Sequence, residues 1–165
     1  MHRSLTNVLF VSETNACRSL LAEACLRNIG KNRFKVFSCG VPGKVAEAPS
    51  SWTLLALQTT GIPSKDLRCK PWTEFTRNGA PRMDFVISLD ASTAGDHPMW
   101  PGQPETALWD YPALVQKKGK GAELGLATVQ TLVSLRRRLE LLVSLHSKGH
   151  TRSELRHDLR DLSYV

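Results

Sequence analysis

Between positions 8 and 24 an apolar run, Val8-Leu9-Phe10-Val11, passes through Ser12-Glu13-Thr14-Asn15-Ala16-Cys17-Arg18-Ser19 into helix-forming Leu20-Leu21-Ala22-Glu23-Ala24. A short apolar run bounded by polar residues reads as a strand buried on both faces. A helix directly behind it carries the chain back across a sheet, the beginning of a parallel α/β arrangement. The loop between them lies at the strand's carboxyl end and the helix's first turn, where backbone amides carry partial positive charge. Successive amides from Glu13 to Arg18 can form a nest, and the Arg18 guanidinium adds a planar fork. A phosphate-like tetrahedral oxyanion, with about two negative charges and several acceptor oxygens, needs such a convergence of donors. Asn15 can hold the loop's shape through its side-chain amide, and Ser19 can donate toward position 12. Glu13 has to point away from the anion. The plainer alternative is a strand–turn–helix with Ser12 or Thr14 as a simple N-cap.

The rest of the chain repeats the alternation of strand and helix. Strands are predicted at residues 7–11, 33–38, 84–89 and 107–109. Helices are predicted over 17–28, ending near Gly30, and from Pro49 to the Gly61-Ile62-Pro63 stop, with Leu54, Leu55 and Leu57 facing inward. The longest pattern, 123–146, places Leu124, Val129, Leu132, Val133, Leu139, Leu142 and Val143 on one stripe. Thr151-Arg152-Ser153-Glu154 carries a capping-box signature for a last helix over 153–162. Strands joined by helical crossovers imply a parallel sheet covered on both faces, with ligands bound beyond the strands' carboxyl ends. The 165 residues suit one domain with a substantial core.

Charge narrows the partners. The formal net charge is +7, with the excess in Arg136-Arg137-Arg138, in Lys117, Lys118 and Lys120, and in the tail from Lys148 to Arg160. Leucines at helical spacing and recurring acids run through these stretches, as on a solvated helix face, and no aromatic residues interleave with them. A solvated helix face is therefore the first expectation, and nucleic acid is an unfavoured partner. Cys17, Cys25, Cys39 and Cys69 lack metal-ligand spacing, so free thiols are expected and no metal or cofactor. No apolar stretch is long enough to span a bilayer, and the first residues lack a signal peptide's apolar segment, so a cytoplasmic protein without a membrane partner is expected.

The string Val8-Leu9-Phe10-Val11-Ser12-x-x-Asn15-x-Cys17-Arg18-Ser19-x-x-Ala22-Glu23-Ala24 resembles the phosphate loop of low-molecular-weight protein tyrosine phosphatases and the thioredoxin-coupled arsenate reductases related to them. In that family the loop reads Cys, five residues, Arg, Ser, and Ser12 stands at the nucleophile's place. The resemblance continues through Ser38-Cys39-Gly40, Gly43-Lys44-Val45, Gly61-Ile62-Pro63, Lys70-Pro71-Trp72-Thr73-Glu74-Phe75, Asp84-Phe85-Val86-Ile87 and Trp109-Asp110-Tyr111-Pro112. It implies a three-layer α/β/α sandwich around a four-stranded parallel sheet over residues 1–147, with 148–165 as a basic helical extension. It also implies roles. The residue at position 12 attacks phosphorus, Glu13, Thr14, Asn15, Ala16, Cys17, Arg18 and Ser19 hold the phosphate, and Asp110 protonates the leaving oxygen.

This chain departs from that pattern in three places. A serine hydroxyl stays protonated where a cysteine would be a thiolate, and without a base it is a poor nucleophile. The five histidines, His2, His97, His146, His150 and His157, lie outside the loop. Asp110 is separated from Pro112 by Tyr111, so it is either the general acid or the cap of a turn beside a packed Trp109. The third strand carries no thiol for a reductase relay. Trp52, Trp109 and Tyr111 are candidates for the pocket's aromatic walls and equally for the core. Three readings stay open. One is a phosphatase-type, phosphate-holding protein that works through cysteinyl-phosphate chemistry if position 12 is natively cysteine and is inactive or nearly so as Ser12. Another is a natural pseudophosphatase sensing phosphate or a phosphotyrosine protein. The third is a binder of nucleic acid or an acidic protein through the basic C-terminal helices, with the old active site vestigial.

Overall fold

β1 (Thr6–Val11) lies inside a parallel sheet, between β2 (Phe34–Cys39) and β3 (Phe85–Ser88), with β4 (Glu105–Leu108) outermost beside β3. Val11 pairs with Cys39 on one side and Ser88 on the other, so three strand ends open at one level beneath the loop. The computed structural model describes residues 5–114 and 121–165. The helices are α1 (Arg18–Ile29), α2 (Ser51–Thr59), the short α3 (Ala91–Ala94), α4 (Gly121–Ser147) and α5 (Arg152–Leu162). This is the α/β class with a four-stranded parallel sheet that the resemblance implied.

Alternation along β1 divides the core. Val8 and Phe10 face α1, α2, α4 and α5, in a cluster with Leu21, Leu57, Leu135 and Leu159. Leu9 and Val11 face the other way, toward Phe75, Met83, Val86 and Trp100. That second layer comes from a 3-10 turn over Trp72–Phe75 and the surrounding loops rather than from a long helix. Burying each of these large side chains stabilises the fold by about 1.5–3 kcal/mol, and β1 is apolar from Val8 to Val11, where both its faces are covered. None of the described helices is long and apolar enough to cross a membrane.

Several expectations need correction. α2 is capped by Ser50, whose hydroxyl accepts from the Trp52 amide, so Pro49 lies outside the helix. Leu54 and Leu55 point outward, 41% and 49% exposed, while Thr53, Ala56 and Leu57 form the buried stripe. Val133 is likewise 57% exposed. In both helices the leucines and valines cover more of the circumference than one packing face can take, and the neighbouring elements decide which side is buried. Arg138 is buried rather than solvated. β4 begins two residues earlier than predicted, and α3 and the 3-10 turn were not foreseen. Lys117, Lys118 and Lys120 lie outside the described residues.

The C-terminal segment is part of the core. Leu155, Leu159 and Leu162 of α5 join the larger cluster, and the Trp109 indole Nε1 donates to the Leu159 carbonyl at 2.8 Å. The capping box is formed: Thr151 Oγ1 accepts from the Glu154 amide, and the Thr151 amide donates to Glu154 Oε1. Thr151→Ala is expected to cost about 1 kcal/mol and to lower the melting temperature by about 2–4 °C. An unchanged thermal melt would mean that docking alone holds α5.

Candidate functional site

The loop from Ser12 to Ser19 is turned so that its carbonyls face protein. Glu13 O accepts from the Val41 amide, Thr14 O from Ala46, and Ala16 O from both the Ser50 amide and Thr53 Oγ1. Asn15, at φ 54°, reverses the chain in a left-handed conformation that its short polar side chain tolerates. Gly40 permits this fold-back, because a Cβ there would lie 3.0 Å from Glu13 O and 3.1 Å from Asn15 Cβ. With the carbonyls tied outward, the amides of Thr14, Asn15, Ala16 and Cys17 have no acceptor among the described residues. Ser12, Glu13, Thr14, Ala16, Cys17 and Arg18 line a cavity of about 170 Å³ with Ser50, Ala113 and Leu114. That is well below the roughly 300–1,000 Å³ of drug-sized sites and suits one small oxyanion group. A larger cavity of about 540 Å³ beside α1 is lined by the exposed Arg27, Lys31, Lys65 and Asp66 and brings together no buried donors.

Arg18 is held from behind. Its Nη2 pairs with Asp90 Oδ2 at 3.0 Å, and its Nη1 donates to the Tyr111 carbonyl at 2.9 Å. The same Asp90 oxygen accepts from the Glu13 amide at 3.0 Å, so one carboxylate orients both the guanidinium and the loop's first turn. Burial alone raises the Asp90 pKa, but the Ser92 hydroxyl, the Arg18 guanidinium, the Glu13 amide and the Thr93 side chain outweigh it and hold the carboxyl below its usual range. A carboxylate with a depressed folded pKa stabilises fully above its unfolded value, about 3.9, and that contribution is lost as pH falls through the folded pKa. Asp90→Asn is thus expected to lower the melting temperature near neutral pH and to flatten the wild type's loss of stability below about pH 4. If the variant's acid profile runs parallel to the wild type's, other carboxylates carry that loss.

Beneath the loop runs a chain of polar side chains. Asn15 Nδ2 donates to Ser19 Oγ at 2.7 Å and to Ser38 Oγ at 3.0 Å, and Ser19 Oγ lies 2.6 Å from Ser12 Oγ. Since Ser19 accepts from Asn15, its own proton is available to Ser12, and the Ser12 proton is then directed away from Ser19. Ser38 donates to Glu23, which also pairs with Arg27 and, at 3.6 Å, with Lys70 Nζ. The Lys70 amide donates to Asn15 Oδ1 at 2.9 Å, fixing the orientation of that amide group. Burial lowers the Lys70 pKa, and Glu23 opposes that shift. Burial pushes the Cys17 thiol up, against the smaller lowering effects of Thr53 and Arg18, which disfavours a thiolate there. All four cysteines are free thiols.

The other sequence candidates are placed as follows. Glu13 turns outward to Lys44 at 3.7 Å. Asp110 is exposed, its Oδ1 accepts from the Ala91 amide at 3.1 Å, and it does not line the cavity. Trp109 and Tyr111 are core residues, and Trp52 packs against Gly121 and Gly125 of α4. His97 bonds Ser88 Oγ at 2.7 Å, meets Trp100 edge to face, and does not line the cavity. Asp90, Ser38, Lys70 and the Tyr111 carbonyl went unrecognised as parts of the site. Only Asp90 carried a local signal: it ends an apolar strand before Ala91-Ser92-Thr93, the pattern of an N-cap.

The sequence profile of the family described as low molecular weight phosphotyrosine protein phosphatase matches residues 7–107, more than half of the chain. The chain belongs to that family. No curated protein sequence matches it. Among solved structures, this phosphatase-family chain is similar to Vibrio vulnificus Wzb in complex with benzylphosphonate, with a TM-score of 0.67 at 13% identity over 86% of this chain and 99% of that one. YfkJ from Bacillus subtilis gives 0.62 at 20% identity over 91% and 100% of the two chains. The Corynebacterium glutamicum thioredoxin-dependent arsenate reductase gives 0.57 at 23% identity over 86% of this chain and 65% of its own length. At these identities the structures establish a shared fold.

Proposed function

We propose that this member of the phosphatase family binds a tetrahedral oxyanion, inorganic phosphate above all, in the Ser12–Ser19 loop and hydrolyses phosphoesters poorly or not at all. The observation carrying this reading is the set of four loop amides, Thr14 to Cys17, without a protein acceptor around the small cavity that Arg18 also lines. Ser12 acts there as a further donor. Its hydroxyl can accept a hydrogen bond from Ser19 and offer its own proton to the anion, and among the described residues it has no carboxylate or imidazole partner to deprotonate it. Among the described residues the cavity's wall beyond the loop is Ser50, Ala113 and Leu114, and residues 115–120 contain no aromatic side chain. A phosphotyrosyl ring would find little to stack on, so free phosphate is the favoured ligand.

A phosphatase reading is supported by one specific observation. The Asn15-to-Ser19-to-Ser12 donor chain is the arrangement that would stabilise a thiolate at position 12. In that case Asp110 is the proposed acid and must leave its Ala91 contact to reach a leaving oxygen. Calorimetric titration of the chain with inorganic phosphate, alongside an aryl-phosphate assay, tests the proposal. Binding without turnover is expected, and a flat titration rejects it.

A further inference from the structure

A buried arginine on α4 has no role in the site described so far. Arg138 is 8% exposed, and its Nε and Nη1 have no hydrogen-bond partner among the described residues. Its Nη2 donates to the Ser163 carbonyl at 3.0 Å and reaches the Val165 carbonyl at 3.4 Å, at the end of α5. The guanidinium carbon lies 4.9 Å from the centre of the Tyr111 ring and 5.7 Å from that of Trp109. One turn earlier on the same helix face, Ser134 Oγ meets the Tyr111 hydroxyl at 2.8 Å. Tyr111 is thus held at its ring face and its hydroxyl by two residues of α4, while its carbonyl is an acceptor for Arg18.

From this arrangement we infer that Arg138 is a positioning residue for Arg18, acting through Tyr111. The inference rests on the oxyanion reading of the loop. A position that only needed filling would be better served by leucine or methionine, because burying a guanidinium with unpaired N–H groups is costly. The ring faces of Tyr111 and Trp109 offset that cost and tie the cation's place to theirs. The segment they occupy is otherwise anchored through its backbone at Trp109 N to Ser88 O and Tyr111 N to Leu89 O, and through the Trp109 indole to Leu159 O and the Asp110 carboxylate to the Ala91 amide. Those bonds leave the far side of Tyr111, ring and carbonyl together, to be set by α4. Without Arg138 the Tyr111 carbonyl loses its orientation, and Arg18 keeps Asp90 as its one rear contact. The end of α5 is coupled to the oxyanion loop by the same path.

The test uses the full chain, with arginine Nε–H signals read by NMR and phosphate affinity read by calorimetry. In Arg138→Met the heteronuclear NOE of the Arg18 Nε–H is expected to fall, and phosphate affinity to drop about tenfold, equivalent to about 1.4 kcal/mol. Arg138→Lys, which keeps a cation over the ring, should recover most of the affinity. An Arg18 signal as ordered as the wild type's in Arg138→Met, with affinity within about twofold, overturns the inference. Should Arg138→Met fail to fold, phosphate titration of the wild type decides. The Arg138 Nε–H signal shifts together with that of Arg18 if the two are coupled, and a stationary Arg138 signal overturns the inference. A wild type that binds no phosphate removes the oxyanion reading alone, because the order of Arg18 in the two Arg138 variants still tests the positioning.

Discussion

Replacing Ser12 with cysteine is expected to raise hydrolysis of an aryl phosphate at least about a thousandfold, read as phenolate release near neutral pH. The estimate is modest beside the roughly millionfold loss in kcat that removing a nucleophile causes in a well-studied hydrolase. The environment at position 12 already suits a thiolate. Ser19 has a proton to donate, α1 begins at Arg18, and the amides of Thr14 to Cys17 have no acceptor among the described residues. Each of these stabilises negative charge at a sulfur, whereas an alkoxide lies too far above neutral pH for the same donors to produce it. Sulfur for oxygen is also a small change in a site this tightly bonded. If Asp110 is the general acid, Asp110→Asn in the Ser12→Cys background should cost about a hundredfold or more. Hydrolysis absent from Ser12→Cys while phosphate still binds would show that the loop holds an oxyanion without supporting attack on it. An active unsubstituted chain would sink the binding reading.

Arg18→Ala is expected to weaken phosphate binding at least about a hundredfold, matching the roughly 3–5 kcal/mol lost when one partner of a buried charge pair is removed. Two effects add. The anion loses a buried cation able to bind it with a planar fork, and Asp90 becomes a buried carboxylate with its ion pair gone. The second effect lowers stability as well as affinity, so the titration needs a companion. Arg18→Lys retains the positive charge near Asp90 but loses the planar fork, and its affinity should fall between those of the wild type and Arg18→Ala. Equal affinities in all three proteins would place the anion outside the loop.

The loop was readable because its construction is local. Strand end, nest and helix start follow one another within twelve residues, and the chemistry of an amide nest depends on backbone placement more than on distant partners. The same holds for the capping box at Thr151 and Glu154, which both lie in one turn. Asp90 was not legible as a partner of Arg18, nor Lys70 as a partner of Asn15 55 positions away, because nothing in either segment announces which strand it will lie beside. Asp110 shows the limit from the other side. Its place in the resemblance suggested an acid, and its side chain accepts from the first amide of α3, an element capped by Asp90 and too short to leave a hydrophobic period. Tyr111 is the sharper case, since the useful atom is its carbonyl while its ring serves the core.

The sequence by itself determined the strand–loop–helix unit, the parallel sheet and a cluster of oxyanion donors ending in Arg18. Short-range geometry is enough for those, because an amide's direction follows from the few dihedrals around it. Tertiary structure alone decided what stands behind the loop. It set Asp90 and the Tyr111 carbonyl against Arg18, buried Lys70 and Glu23 beneath Ser38, and packed Arg138 onto Tyr111. It also chose which leucines of α2 became core. These outcomes depend on which strands become neighbours and which helix face meets them. Packing settles both, and no stretch of a dozen residues contains that information.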